Sequence, residues 1–391
     1  MSVAGRDVVV VGGGVIGLSI AYALSREGIR CLVLDRRELG REASWAGAGL
    51  LPPPSEPPDR GAGATDSVTG LPPLAALRSW SASLYPSWSQ RLQDETGIDN
   101  GYRRCGGVDV ACDEAEERSL RATAGRWRAE RIVHERLAAV DCARIEPALG
   151  PSVRQAYFLP DRAQVRNPRH LAALAIAASR RGAELRPWQP VLGLDVKDGR
   201  VAGVRVGSET IACSWVVMAA GAWSGGLLEG VGVSAPTPPV KGQIVLLRHD
   251  RPLLRRIVEH GRCYLVPRDD GRILVGATEE DAGFDTRPTA AGVRALIDEA
   301  IRLCPSLGRA EVERTWAGLR PGSIDSKPYI GLAPGLDNLI VATGHKRAGL
   351  QLSPATAELV AALILGRTPA MDLGPFRLDR EVDHAEDTFR S

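Results

Sequence analysis

The segment DVVVVGGGVIGLSIAYALSREGIRCLVLD, Asp7 to Asp35, sets the architecture of the chain. Asp7 to Val11 is a short, mostly β-branched run without polar alternation, the pattern of a parallel strand buried on both faces, and it breaks at Gly12, Gly13 and Gly14. From Val15 to Glu27 the apolar residues Ile16, Ile20, Ala23 and Leu24 recur at helical spacing, Gly28 supplies a stop, and Cys31 to Leu34 reads as a second buried strand. This is one βαβ unit with the turn Gly12-x-Gly14-x-x-Gly17. Gly12 allows the tight turn, Gly14 lets a pyrophosphate approach the backbone, and Gly17 lets helix and strand pack closely. Asp35, about 20 residues past the turn, stands where a carboxylate accepts ribose hydroxyls and repels a 2′-phosphate. The ligand is therefore FAD or NAD(H).

Further along, Glu42 to Gly49 (EASWAGAG) is rich in small residues, as backbone threading past a cofactor requires, and Ser44 also suits a helix cap. Leu51 to Pro73 is a proline, glycine and serine stretch that reads as a loop, with a lid as one role for it. Leu74 to Thr96 carries a core-facing stripe (Leu77, Trp80, Leu84, Trp88, Leu92), Tyr102 to Ala111 reads as a strand pair, and Asp113 to Arg131 as a solvated helix. A helix at Pro168 to Arg181 and a hairpin around Asp198-Gly199 follow, and Cys213 to Ser224 is a buried strand ending in Ala219, Ala220 and Gly221. Between Lys241 and Thr278 the periodicity becomes two, as in an antiparallel sheet. Strand Asn338 to Ala342 closes in Thr343-Gly344-His345, and a helix is expected over Ser353 to Leu365.

A chain of 391 residues exceeds one usual core, so two domains are expected. With 44% hydrophobic and 25% charged residues and a net charge of +2, nothing points to nucleic acid or an anionic membrane. The amino terminus shows no secretory signal and no apolar run approaches the roughly 18 residues of a membrane helix, so the expected location is cytoplasmic. Seven cysteines lie singly without CxxC, which suggests neither a zinc site nor a disulfide framework.

The motifs VVVVGGGVIGLSIAYAL, REASWAGAGLL, VMAAGAWS, CYLVPR with GRILVGATEEDAGFD, WAGLRPGSIDSKPYIG, GHKRAGLQLSPATAEL and FRLDR, in this order, resemble FAD-dependent amino-acid oxidases of the D-amino-acid oxidase type. Within that family they are most similar to the glycine oxidase branch of thiamine biosynthesis. The resemblance implies an α/β two-domain flavoprotein. A Rossmann-like FAD-binding domain would take residues 1–80, 165–235 and 325–391, and an antiparallel substrate-binding domain residues 81–164 and 236–324.

By position, Arg320 would bind the substrate carboxylate, as a planar guanidinium suits, Tyr264 would meet the same carboxylate, and Arg347 would stand beside the flavin. The implied FAD contacts are Gly12, Gly14, Val15, Ile16, Gly17, Asp35, Arg36, Ser44, Ala46, Gly47, Gly49, Ala220, Gly221, Trp223, Gly344, His345, Arg347, Gly349 and Leu350. With no cysteine after Cys304 to form a thioether, the FAD is expected to be non-covalent, and no metal is implied. Arg262 and Lys346 depart from the family pattern; their added positive charge would either select a diacid substrate or, as the preferred reading, stand solvated at the rim.

The implied reaction passes a hydride from Cα of glycine or another small amino acid to flavin N5, with dioxygen as acceptor. It gives the imine, then glyoxylate and ammonia, with H2O2, and the imine would feed thiazole formation. It needs no general base, in keeping with the lack of a His, Cys or paired-carboxylate constellation. The alternative is a D-amino-acid or sarcosine dehydrogenase or oxidase using another acceptor or substrate. A homo-oligomer is also implied.

Overall fold

A computed structural model describes residues 6–56 and 70–381. The lid role considered for residues 51–73 falls largely on 57–69, outside the described residues. Strand β1 (Arg6–Val11), helix α1 (Val15–Arg26) and strand β2 (Cys31–Leu34) form the expected unit. β1 lies between β2 and the strand Glu209–Met218, parallel to both, with Val8 opposite Cys31 and Trp215. Val8 and Val10 enter the core under α1, whereas Val9 and Val11 enter the core on the other face. That two-sided burial is why the run shows no alternation.

The first sheet runs, in spatial order, Tyr329–Leu332, Leu339–Thr343, Glu209–Met218, β1, β2, Glu184–Arg186, and the hairpin Val191–Lys197 and Arg200–Val206 extends it from Glu209–Met218. Its parallel strands end together, so Val11, Leu34, Met218 and Thr343 present their following loops to one crevice. The second sheet has eight strands among the described residues, in the order Glu311–Pro321, Pro239–Arg248, Arg272–Gly276, Cys263–Pro267, Ile257–His260, Gly107–Ala111, Gln155–Leu159, Glu135–Ala138. It is antiparallel except where Ile257–His260 runs parallel to Gly107–Ala111.

Two local expectations change. Tyr102 to Ala111 holds one strand, Gly107–Ala111, because Gly106 turns the chain at φ +72° and Arg103 makes only an isolated bridge to Gln164. The last long helix spans Gly349–Ile364 and starts four residues before Ser353, with Pro354 inside it. Proline has no N–H to give to the Leu350 carbonyl, but that oxygen accepts from the hydroxyls of Tyr85 and Ser353 instead. The helix therefore passes through the proline and packs on α1 in the same core.

Candidate active site

A cavity of about 740 Å³ lies between the ends of the parallel strands and the face of the antiparallel sheet. Its first part is built on α1. Gly14 caps that helix without a side chain, and a helix leaves its first amides unpaired. Val15 N–H donates to Ser44 Oγ (2.8 Å), so Ser44 caps α1 and not its own short helix, Ala43–Ala46. Asp35 receives N–H bonds from Gly13 (2.7 Å) and Arg37 (2.8 Å), while burial pushes its carboxyl pKa up. Asn167, which the sequence did not single out, ties down the small-residue loop by donating to the carbonyls of Ser44 (2.9 Å) and Gly47 (2.7 Å). Arg36 lies 3.7 Å over the Trp223 ring and pairs with Glu42 (2.8 Å).

Gly12, Gly14, Val15, Ile16, Asp35, Arg36, Ser44, Ala46, Gly47, Gly49, Ala220, Gly221, Trp223, His345, Arg347, Gly349 and Leu350 all line this cavity, as do Tyr264 and Arg320. Gly17 and Gly344 stand behind the lining. A Cβ on Gly17 would run into the Gly12 carbonyl, and one on Gly344 would meet the Tyr329 ring at 2.9 Å. Their role in the structure is close packing.

The antiparallel sheet supplies the second part. Arg320 NH1 donates to the carbonyls of Thr278 (3.1 Å) and Lys241 (3.4 Å), and among the described residues no carboxylate pairs with it. Burial holds its pKa down. Its guanidinium lies across Gly242, where a Cβ would collide with it. Tyr264 packs over Gly276 of the adjacent strand, and burial pushes its hydroxyl up to about 12.

At the rim Glu279 collects three cations: it bonds Arg347 and lies 3.9 Å from both Lys346 and Arg262. Burial would raise Glu279, but Arg347 and then Lys346 outweigh it and hold the carboxyl below the ordinary range. Arg262 is half exposed, whereas Lys346 is only 18% exposed and reaches Ser326 (3.4 Å), so it is an enclosed charge. Glu259 also lines the cavity and was not foreseen. Its signal was the two-residue turn Gly261-Arg262, which sets Glu259 directly opposite Tyr264.

On the antiparallel sheet side, Cys112, Glu116 and His260 bring their ligating atoms within 4.8 Å, a grouping from separate segments that cysteine spacing cannot show. His260 also pairs with Glu299 (2.7 Å) as well as Glu116 (2.8 Å). Contacts with Cys112 and Glu299, aided by Glu116, overcome burial and push the imidazole up to about 10.

Among the described residues, three buried polar atoms in the cavity lining lack partners: Arg78 Nε, His345 Nδ1 and Gln351 Nε2. Burial pushes His345 down to about 3, so it is neutral and offers Nδ1 or its proton to a ligand. With the amides of α1 and the Asp35 carboxylate, these groups fit a bound dinucleotide. None of the seven cysteines lines the cavity.

A phosphate-binding βαβ cradle that opens onto a chamber with an unpaired guanidinium defines an oxidoreductase that binds a dinucleotide and acts on an anionic small molecule. The chain belongs to the DAO family of FAD dependent oxidoreductases, whose model matches residues 7–363. It is 38% identical over 375 residues to the glycine oxidase of Pseudomonas putida, covering 95% of this chain and 98% of that protein. Identity to the Pseudomonas aeruginosa glycine oxidase is 40%, over 94% of this chain and 97% of that one. The crystal structure of glycine oxidase from Geobacillus kaustophilus superposes with a TM-score of 0.88 at 35% identity, over 96% of this chain and 99% of that chain. Iminodiacetate oxidase from Chelativorans sp. BNC1 gives 0.84 at 27% identity, over 95% and 98%.

Proposed function

We propose that this chain is an amino-acid oxidase that oxidises glycine or a similarly small amino acid to the imine, which hydrolyses to glyoxylate and ammonia. The observation that carries this is Arg320: a guanidinium in the chamber with no carboxylate partner, flanked by Tyr264, is ready for a two-pronged bond to a substrate carboxylate. The close similarity to glycine oxidases along nearly the whole chain supports glycine as substrate and dioxygen as acceptor.

In this reading Arg320 and Tyr264 hold the carboxylate, and so hold Cα in place. The cradle of α1, Ser44 and Asp35 holds the dinucleotide, with the orphaned His345 and Gln351 toward it. Bound FAD supplies the two-electron sink for the hydride leaving Cα and returns the electrons to dioxygen as H2O2.

We extend the proposal to the FAD-binding segments 1–80, 165–235 and 325–391, the substrate-binding segments 81–164 and 236–324, non-covalent FAD and a homo-oligomeric state. We also propose a cytoplasmic setting and supply of the imine to thiazole formation; similarity to bifunctional ThiO/ThiG proteins supports the latter. Among the described residues no helix is long and apolar enough to cross a membrane.

The test is anaerobic. Glycine should bleach the visible flavin band of the holoenzyme, and admitted air should restore it with stoichiometric peroxide. Bleaching that persists in air would assign another acceptor, and no bleaching by glycine, sarcosine or a D-amino-acid panel would end the reading.

A further inference from the structure

We propose that Glu259 holds the substrate's ammonium group and takes a proton from it, so that the amine is neutral when Cα gives up its hydride. This rests on the amino-acid oxidase reading above and names a residue for which neither the sequence motifs nor the reaction chemistry had provided.

The first support is position. Glu259 and Tyr264 are directly opposed across an antiparallel pair, so their side chains leave the same face of the sheet, with Cβ atoms roughly 5 Å apart by the usual geometry. Both line the cavity that Arg320 also lines. A small amino acid has its carboxylate and ammonium on one carbon, so a group beside Tyr264 is within reach of the nitrogen.

The second support is charge. Arg162 is buried under the sheet and lies across Gly107, where a Cβ would collide with it. It bonds Asp109 and Glu259 together, reaching Glu259 Oε1 at 2.9 Å. Two carboxylates thus share one guanidinium, leaving one negative charge over. Asp109 is only 14% exposed, whereas the Glu259 side chain is 26% exposed and lines the cavity, so the surplus faces the chamber. A carboxylate in a partly buried site without full neutralisation is costly, and an arriving cation offsets that cost. Arg320 carries the opposite surplus in the same chamber. Glu259 and Arg320 thus offer one charge of each sign to a zwitterion, beside the further cations of Arg78 and the Glu279 cluster.

The remaining groups facing Glu259 are Tyr264 on the neighbouring strand and Arg347 from the Lys346–Ala348 turn, which is itself bound to Glu279. Burial pushes the Glu259 carboxyl up; Arg162 opposes the rise, Asp109 adds to it, and Arg347 opposes it. A carboxylate raised in this way is a stronger base than a free one. The step balances: R–NH3+ and Glu259–COO− become R–NH2 and Glu259–COOH, and the proton leaves to solvent between turnovers.

Glu259→Gln tests this in the holoenzyme, since the amide oxygen still accepts from Arg162 but cannot take the proton. Expected is a fall of tenfold or more in kcat/KM for glycine at pH 7, with activity recovering only at alkaline pH where free glycine loses its own proton. Acetate has the carboxylate without the ammonium, and its Kd, read by perturbation of the flavin spectrum, should stay within threefold or tighten. Asp109→Asn, which removes the surplus charge, should move the acid limb of the wild-type kcat/KM profile toward lower pH.

An unshifted Glu259→Gln profile overturns the proposal, as does an equal loss of glycine and acetate binding, the mark of a merely structural residue. If Glu259→Gln does not fold, an Asp109→Asn acid limb that stays in place overturns it alone. Absence of any amino-acid turnover by wild type would instead end the reading on which the proposal rests.

Discussion

Arg320→Ala removes a chamber guanidinium that has no carboxylate partner and bonds only two backbone carbonyls. A charged hydrogen bond contributes roughly 1.5–3 kcal/mol, and the fork makes two, one of which water replaces in part after truncation. We take about 3 kcal/mol as the net loss, which at about 1.4 kcal/mol per tenfold is on the order of 100-fold in binding. KM for glycine and the Kd of acetate should both rise by that factor; acetate is included because KM equals a dissociation constant only when chemistry is slow. FAD should stay bound, since Ser44, Asp35 and α1 belong to the other sheet side of the cavity. Arg320→Lys keeps the charge but loses the fork and should fall between, at roughly tenfold. The ligand-free protein should meanwhile melt higher as Arg320→Met, because burial already disfavours the unpaired charge. An unchanged KM, or a lower melting temperature together with FAD loss, would refute the carboxylate role and make Arg320 structural.

Tyr264→Phe should raise KM by about fivefold, the worth of one hydrogen bond of roughly 1 kcal/mol, with kcat within about twofold; a collapse of kcat alone would contradict this. Gly17→Ala drives a Cβ into the Gly12 carbonyl and should cost about 1–3 kcal/mol and weaken FAD binding, so wild-type values of Tm and FAD Kd together would dismiss the packing argument. His260 is pushed from its ordinary 6.5 up to about 10, so its stabilisation is complete below pH 6.5 and lost as pH rises toward 10. The Tm gap between wild type and His260→Gln should therefore close over that window, and a constant gap would reject the ion cluster. Arg268→Met should lower Tm and leave the glycine KM within about twofold, since its donors go to backbone and Gln164 inside the fold; a raised KM with unchanged Tm would reverse its assignment.

The first βαβ unit was legible because three independent constraints fall on the same residues: a two-faced valine strand, glycines spaced for a turn and a close crossing, and an acid at the end of β2. Ser44 was legible as a cap, but not as the cap of α1, since that bond spans 29 residues. The start of the last helix was misplaced because Ser353-Pro354 imitates a helix beginning, and only the distant Tyr85 hydroxyl reveals why the proline is tolerated. Glu259 and Glu279 escaped for a different reason. The Gly261-Arg262 turn could have placed Glu259 opposite Tyr264, but the charge environment that gives both glutamates meaning comes from Arg162, Asp109 and Arg347, brought together by pairings far apart in sequence.

Three arginines show how the structure separates a binding group from a structural one. Arg380 forks onto Asp325, with side chains 4% and 3% exposed, and also donates to the carbonyls of Pro328, Lys327 and Arg377. Every demand of that charge is met inside the fold. Arg268 has no carboxylate within reach among the described residues, yet it bonds Gln164 and the carbonyls of Val165 and Ala48, and it lies outside the cavity lining. Burial lowers it to about 10, and neutral acceptors suffice to keep it. Arg320 shares the missing carboxylate with Arg268, but its bonds to Thr278 and Lys241 both run from NH1, and it faces the cavity. The absence of a counter-ion alone therefore does not mark a site. What does is that absence together with unspent donors and an open path to a ligand; Glu259 meets a weaker form of the condition, since it faces the cavity and shares its one counter-ion, Arg162, with Asp109.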